Sequence, residues 1–292
     1  MLSARKSLIC IALSVATLTA CGGGGSGSDE TATTTTVTTP SAQAAINTTN
    51  AQVLSQATIG SGSLGTSSLN LVRQFENQLT SSAQGRQSDL AGSDACPLSG
   101  DLVYAMTNEG KKASFTFNSC KMNADMALNG KFSFDLMEGS STAIAIAYDA
   151  FNLKMAPSSL NNYQAFDDTL QGKFSILMDG QGDSFFTIKQ DLVRTENQTG
   201  ISITSKTVSL TYSGNSMLPT AASGTIVHSL EGAVSLSVVE EALILSGDNS
   251  KLKIEQQGVS YLLSLDEDND GIYDQQSSAT QFAGEELVWT AI

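Results

Sequence analysis

From Gly100 onward, the chain alternates between apolar and polar side chains in short runs. Phe115 and Phe117, for example, are separated by Thr116 and preceded by Ser114. Alternation of this kind places apolar side chains on one face of a β-strand. The pattern recurs at Phe132–Leu136, Ile144–Tyr148, Phe174–Met178, Ile201–Ile203, Val208–Tyr212, Val234–Val238 and Val259–Leu265. Gly, Asn and Asp separate these runs. We therefore predict a mainly β fold, a large antiparallel β-meander shaped as a sandwich, a prism or an open barrel.

Two stretches before this region show helical spacing instead. Residues 41–57 carry a weak helical pattern that Gly60-Ser61-Gly62-Ser63 should end. A second pattern predicts an amphipathic helix over about 68–83, with apolar positions at Leu69, Val72, Phe75 and Leu79. Its apolar stripe is short and it has few basic residues, so we expect it to cover the sheet rather than contact a membrane or a partner. The predicted fold thus has one or two N-terminal helices.

A short motif recurs within the predicted strands. LNGKFSF at 128–134 returns as LQGKFSI at 170–176 and more faintly as LEGAVSL at 230–236. We interpret its glycine as a turn residue that opens a half-buried strand. Repetition of a hairpin unit accounts for the motif without any function.

The N-terminus has the pattern of an export signal. Arg5 and Lys6 precede an apolar run over 7–18, and the small residues Thr19 and Ala20 follow it. This run is too short to cross a ~30 Å bilayer as a helix, which needs about 20 apolar residues. It has the length of the hydrophobic region of a signal peptide.

Leu18-Thr19-Ala20-Cys21 resembles the lipobox of bacterial lipoproteins. The resemblance implies removal of residues 1–20 as a lipoprotein signal peptide and acylation of Cys21, so the membrane would be a partner through lipid. An ordinary signal peptide cut at another small residue is the alternative. Gly22, rather than Asp, follows the cysteine, which by family analogy favours the outer membrane of a Gram-negative cell envelope.

Composition divides the remaining chain into three parts. Residues 21–62 are predicted to be a flexible tether rich in Gly, Ser and Thr, because a segment such as GGGGSGSDETATTTTVTTP cannot bury a core. Residues 63–90 are predicted to be a helical segment packing on the sheet, and residues 91–292 the antiparallel β domain.

The charge of the chain limits its partners. The full chain carries a net charge of −14, which becomes −16 when Arg5 and Lys6 leave with the signal. Such a negative net charge disfavours binding to nucleic acid and to anionic lipid head groups. The expected partner beyond the lipid-anchoring membrane is therefore an unknown protein or envelope ligand.

Four cysteines can be assigned in turn. Cys10 leaves with the signal and Cys21 takes lipid, so only Cys96 and Cys120 remain. In an oxidising compartment these two are expected to form a disulfide, with two free thiols as the alternative. A turn at Asn108–Lys111 would bring them together at the open end of a hairpin.

The stretch Asp266–Asp274 reads DEDNDGIYD. Its D-x-D-x-D-G order resembles the calcium loops of EF-hands and dockerins. The resemblance implies a calcium site with oxygen ligands from the side chains of Asp266, Asp268, Asp270 and Asp274 and from the carbonyl of Ile272.

This loop departs from the EF-hand pattern in two respects. Ser277 stands at the twelfth position, where a bidentate Glu is expected, and the flanking sequences look like strands. The alternative interpretation is a simple hairpin in which Asp270-Gly271 forms a two-residue turn. The flanking strands would then end at Leu265 and begin at Ile272.

Catalytic motifs are lacking in the sequence. His228 is the single histidine, which excludes multi-histidine metal sites, and its spacing from Ile226 and Leu230 suggests a place in the core. Ser250–Lys253 matches S-x-x-K but lies in a strand-like run. No nucleophile elbow, phosphate-binding loop or dinucleotide fingerprint occurs.

We therefore expect no enzymatic activity, but a membrane-anchored binding or structural β module at the cell envelope. One alternative is a carrier of lipid or another apolar ligand, if the sheet curls over an apolar cavity. A second alternative is a hydrolase that uses acids alone, such as a glycosidase. The shape of the sheet discriminates among them.

Overall fold

The computed structural model describes residues 42–62, 90–108, 111–137, 142–157, 165–178, 185–213, 216–280 and 286–292. Within these residues a single helix, α1 (residues 51–62), precedes the strands. The strands are β1 (Leu90–Ala95), β2 (Ser99–Thr107), β3 (Lys112–Lys121), β4 (Met126–Met137), β5 (Thr142–Met155), β6 (Phe166–Met178), β7 (Phe185–Glu196), β8 (Ser202–Ser213), β9 (Ala221–His228), β10 (Gly232–Val239), β11 (Ala242–Ser246), β12 (Lys251–Gln257), β13 (Ser260–Asp266), β14 (Gln275–Ala279) and β15 (Thr290–Ala291).

All fifteen strands form one sheet in which the spatial order equals the order along the chain. Each strand pairs antiparallel with the next, as in β1 with β2 and β14 with β15. β1 and β15 are the two edges of this sheet, so it does not close on itself. The predicted mainly β meander with an N-terminal helix is confirmed.

The apolar positions of the alternating runs form the core. Phe115, Phe132, Tyr148 and Phe174 are buried on β3, β4, β5 and β6. Their ring centroids lie 5.9, 5.7 and 5.9 Å apart in that order, so they form a row across the four strands. Rings at these separations attract beyond the burial of their area, by about 0.5–1.5 kcal/mol per pair. The alternation therefore fixes which face of the sheet is buried.

Two of the three glycines of the repeated motif lie within strands, and not in turns as predicted. Gly130 and Gly172 lie inside β4 and β6 rather than in turns, with φ angles of 86° and 123°. A Cβ on Gly130 would meet the carbonyl oxygen of Ala150, where the β4–β5 and β5–β6 pairings both shift register. The turn assignment is therefore wrong for these two copies, because the glycine accommodates a bulge on the neighbouring strand.

The residue before each of these glycines bonds a different bulge, which lies on the preceding strand. Asn129 Oδ1 accepts a hydrogen bond from the amide of Ser119 at 3.1 Å, and Gln171 Oε1 accepts one from the amide of Ala150 at 2.7 Å. Ser119 and Ala150 both have positive φ, and register shifts adjoin them. A bulge leaves a residue outside the ladder. The motif thus supplies a side-chain acceptor for that residue, and only Gly232 keeps the predicted position at the start of a strand.

Residues 42–62 are packed on the sheet, which corrects the C-terminal part of the tether predicted for 21–62. The amide of Ala44 donates to the carbonyl of Ala233 at 2.8 Å, and the amide of Ile46 donates to Ser250 Oγ at 2.7 Å. Ala44, Ile46 and Leu54 are all buried in the core. Burial of their apolar surface stabilises this arrangement by about 25 cal/mol per Å², and composition alone did not reveal it.

Helix α1 also extends past its predicted end. Ser61 lies in its last turn, and Ser61 Oγ donates to Gln190 Oε1 at 3.0 Å while Gln190 Nε2 donates to the carbonyl of Ser61 at 2.8 Å. This buried pair of bonds fixes the helix against β7. The predicted helix over 68–83, and with it nearly all of the 63–90 segment, lies outside the described residues.

Cys96 and Cys120 lie at disulfide distance, with Cα atoms 5.5 Å apart. Cys96 directly precedes the β2–β3 hairpin, and Cys120 lies near the end of β3. The predicted pairing of these two residues is confirmed. Because Cys96 directly follows β1 and Cys120 belongs to β3, the bond ties the first strands of the sheet together.

Candidate functional site

A groove of about 1010 Å³ crosses the polar face of the sheet from β2 to β8. Small side chains such as Ser133, Ala147 and Ser175 line its middle. They alternate along the strands with Phe134, Ile146 and Phe174, which are buried. The groove therefore exists because short side chains occupy neighbouring positions on adjacent strands, on the face opposite the core.

Charged groups of both signs border this groove. Lys112 Nζ lies 2.8 Å from Asp135 Oδ2, while Lys173 lies opposite Asp191 in the β6–β7 register. The Asp191 carboxylate also accepts a hydrogen bond from the amide of Thr207 at 2.7 Å. The groove thus presents a floor of small Ala and Ser side chains with lysines and aspartates at its borders.

The two aspartates of the groove do not form a catalytic pair. Asp135 is on β4 and Asp191 is on β7, three strand spacings apart. Three spacings amount to about 14 Å, whereas a pair of glycosidase carboxyl groups lies about 5–9.5 Å apart. These two acids therefore do not support the hydrolase alternative.

The acidic loop connects β13 to β14. Asp266, Asp268 and Asp274 each offer one carboxylate oxygen, and these three oxygens lie within 4.8 Å of one another. Asp266 is only 1% exposed, whereas the other two aspartates are exposed. The structure thus brings together three of the five predicted calcium ligands.

Asp270 lies outside this group of three carboxylates. Its Oδ1 accepts a hydrogen bond from the amide of Ile272 at 2.7 Å, and its own amide donates to Asp268 Oδ1 at 3.2 Å. The aspartate therefore closes a local turn within the loop. The ligand role of the Ile272 carbonyl stays a prediction.

The connection is longer than the predicted two-residue turn. β13 ends at Asp266 and β14 begins at Gln275, so the Asp270-Gly271 turn assignment is wrong, although the two strands do form an antiparallel hairpin. The amide of Asp274 donates to the carbonyl of Leu265 at 2.8 Å. This bond joins the two ends of the connection, so a backbone hydrogen bond closes its base in place of a two-residue turn.

His228 has a structural position at the end of β9. It is buried, and its Nδ1 accepts hydrogen bonds from the amides of Leu230 and Glu231 at 3.4 and 3.2 Å. Burial lowers the pKa of His228, and the nearby charge of Glu231 opposes this effect. The predicted core placement of His228 is confirmed, but Leu230 is exposed because it lies in the following turn.

The S-x-x-K sequence has no catalytic geometry. Ser250 Oγ accepts the hydrogen bond from Ile46 and donates to the carbonyl of Asp248 at 3.2 Å. Lys253 Nζ lies 3.0 Å from Glu255 and 5.8 Å from the centre of the Tyr273 ring. The serine and the lysine therefore have separate structural partners.

A buried ion pair between β6 and β7 was not anticipated from the sequence. Asp168 Oδ2 accepts hydrogen bonds from Arg194 Nε and Nη2, both at 2.8 Å. Burial raises the pKa of Asp168, although the charge of Arg194 opposes the shift. Counting back in twos from the buried Phe174 reaches Asp168, so period-two alternation could have placed this carboxylate on the buried face.

A scan of the chain against protein-family models gives no match, and searches of curated proteins and of solved structures give none either. Among the described residues, no helix is long and apolar enough to cross a membrane. Functional inference therefore depends on the residues of this chain alone.

Proposed function

We propose that this chain is a lipid-anchored protein of the cell envelope whose sheet acts as a binding or structural module. The observation that carries the anchor is the Leu18-Thr19-Ala20-Cys21 sequence after a basic and then an apolar segment. Lipid on Cys21 would make the membrane its first partner, and Gly22 favours the outer membrane. Several acyl chains anchor firmly, because each buried methylene contributes about 0.8 kcal/mol.

The packed position of Ala42 limits the length of the tether. Only the residues between Cys21 and Ala42 remain for it, since the chain contacts the sheet from Ala42 onward through the bond from the Ala233 amide to its carbonyl. Their Gly, Ser and Thr content predicts a coil with a span of roughly 25 Å. Such a tether would hold the sheet close to the membrane surface without inserting it.

The groove supports binding as the role of the module. Its floor of small side chains leaves room for a ligand, and its bordering lysines and aspartates offer hydrogen-bond donors and acceptors. Burial and orientation of a ligand in such a groove need only a few polar groups in fixed positions. A protein segment or envelope component with both apolar and polar groups fits this surface.

The two alternatives have less support. A carrier of lipid needs an apolar cavity, but the described groove is bordered by charged groups, and α1 packs Ala51, Leu54 and Ala57 into the core. A hydrolase using acids alone needs two facing carboxylates, which Asp135 and Asp191 do not provide. Neither alternative is favoured by a specific observation.

Metabolic labelling with an alkyne fatty acid tests the anchor. We expect the wild-type chain to label and to fractionate with the outer membrane, and Cys21→Ser to abolish labelling. Cys10→Ser is the matched control, because Cys10 lies within the signal and should not affect labelling. Absence of label in the wild type, or label that survives Cys21→Ser, would refute the proposed anchor.

Site-specific photo-crosslinking in intact cells tests binding in the groove. A photoreactive residue at Ala145, which lines the groove, should give defined adducts. The same residue at Val259, which is 82% exposed in the β12–β13 turn, is the control. Equal adducts at both positions, or none at Ala145, would count against the groove as a binding surface.

A further inference from the structure

The carboxylate of Asp266 is buried without sufficient partners. Asp266 Oδ2 accepts a hydrogen bond from the amide of Gly271 at 3.1 Å, but Oδ1 is fully buried and receives no hydrogen bond. Buried carboxylate oxygens are almost always hydrogen-bonded, paired with a cation or bound to a metal. The missing partner of Oδ1 therefore requires an explanation that the protein atoms do not supply.

A basic side chain does not fill this role. Lys251 lies opposite Asp266 in the β12–β13 register but donates no hydrogen bond to Oδ1. Lys253, two residues further along β12, is paired with Glu255. The carboxylates of Asp268 and Asp274 lie close to that of Asp266 and add negative charge.

We propose that Asp266, Asp268 and Asp274 bind one calcium ion. Calcium–oxygen bonds are about 2.3–2.6 Å long, so two oxygens on the same ion lie at most about 5 Å apart. The three carboxylate oxygens lie within 4.8 Å of one another, which allows a single ion to contact all three. The ion would supply the partner that Asp266 lacks and offset the mutual repulsion of the three aspartates.

The loop is held in this shape by bonds that do not require the ion. The amide of Glu267 donates to Asp274 Oδ2 at 3.3 Å, and the amide of Asp274 donates to Leu265. The amide of Ile292, just after β15, donates to the carbonyl of Asp274 at 3.0 Å. Preorganisation of this kind lowers the ordering cost of binding, and it links the site to the last strand of the sheet.

The donor set favours calcium over other cations. All three side-chain ligands are carboxylates, which suit hard cations and not the softer transition metals. Magnesium requires near-ideal octahedral geometry at shorter distances, whereas calcium accepts irregular loops and completes its shell with water. Without a bidentate Glu, we expect a dissociation constant of about 10⁻⁴–10⁻³ M, in the range of extracellular calcium modules.

The test uses the purified full chain after removal of metals by a chelator. Calcium chloride is titrated by calorimetry, and thermal melting is followed over the same concentrations. The wild type should show saturable heat and a midpoint of melting that rises with calcium. Asp268→Asn should weaken calcium binding by about tenfold or more, because it removes the negative charge of an oxygen that contacts the ion directly.

Asp270→Asn is the matched control. It removes one charge from the same loop, keeps an oxygen that can accept from the Ile272 amide, and leaves the three proposed ligands in place. We expect its calcium affinity to stay within about threefold of the wild type, because only screened electrostatic attraction is lost. Equal losses in Asp268→Asn and Asp270→Asn would show diffuse attraction to an acidic loop and would overturn the site.

Asp266→Asn separates ion binding from a purely structural role. The variant should lose the calcium response, while its melting midpoint without calcium should be no lower than that of the wild type, since an uncompensated buried charge is removed. A lower midpoint without calcium, with the calcium response intact, would overturn the proposal. So would the absence of heat and melting shift in the wild type at 10 mM calcium, or equal shifts with magnesium.

Discussion

Replacement of a bulge glycine by alanine tests the fold, because it adds a single carbon atom, the Cβ. Gly130→Ala places a methyl group on a residue with φ of 86°, where the Cβ would meet the backbone carbonyl of Ala150. Gly258→Ala places the same group on a turn residue with φ of 64°, and nothing lies within 4 Å of the Cβ there. The two variants therefore share backbone strain and differ in steric conflict.

The expected costs follow from these two contributions. A left-handed conformation costs an L-residue about 1–2 kcal/mol, and replacement of Gly by Ala recovers about 0.4–1 kcal/mol through the unfolded state. Gly258→Ala should therefore destabilise the protein by about 0–1.5 kcal/mol. Overpacking against a fixed neighbour adds about 1–3 kcal/mol, so Gly130→Ala should cost about 1–4.5 kcal/mol.

Urea unfolding measures this difference. Both variants should keep the wild-type dependence of free energy on urea, and the midpoint of Gly130→Ala should fall clearly below that of Gly258→Ala. Equal midpoints for the two variants would refute the bulge interpretation, because they would mean that the carbonyl of Ala150 does not restrict position 130.

Three further outcomes are expected. Cys96→Ser with Cys120→Ser should lower the free energy of unfolding by about 3 kcal/mol for a loop of this size, and reductant should affect the wild type alone in urea titrations. Arg194→Met should cost about 3–5 kcal/mol because it leaves a buried carboxylate unpaired. Lys131→Met is the control: it removes an exposed ion pair with Asp149 and should cost less than about 1 kcal/mol. Similar costs for the two variants in chemical unfolding would contradict this prediction. Burial alone would raise the pKa of Asp167, but hydrogen bonds from two asparagines and a lysine hold this pKa below its ordinary value of 3.8. The ionised Asp167 therefore stabilises the folded protein at pH values above its pKa in the unfolded chain. This stabilisation is lost as the pH falls through its pKa in the folded protein. Stability of Asp167→Asn should accordingly fall less steeply between pH 5 and pH 2 in acid titrations, and an unchanged slope would contradict the assignment.

Much of the fold could be predicted from local patterns. Alternation of apolar side chains identified the strands and their buried face, since the side-chain period of a strand is two. The Cys96–Cys120 pair followed from the hairpin between these residues, because a short antiparallel connection brings its open ends together. The acidic stretch was located correctly, and three of its five predicted ligands lie together.

Other features depend on contacts between distant parts of the chain. The burial of residues 42–62 rests on partners such as Ala233, Ser250 and Gln190, which are more than a hundred residues away in the sequence. A local reading found only a weak helical pattern there. The same limit applies to Gly130, whose place in a bulge depends on Ala150 of the next strand.

The sequence by itself predicts an export signal and lipid attachment at Cys21, and it determined the meander and the position of the acidic loop, because each of these is specified by neighbouring residues. Tertiary structure alone decided which part of the N-terminal region packs on the sheet, and it separated Asp270 from the carboxylates of Asp266, Asp268 and Asp274. It also left Asp266 Oδ1 buried without a donor. The physical reason is that burial and distance through space depend on how strands far apart in the chain come together, which spacing along the sequence does not record.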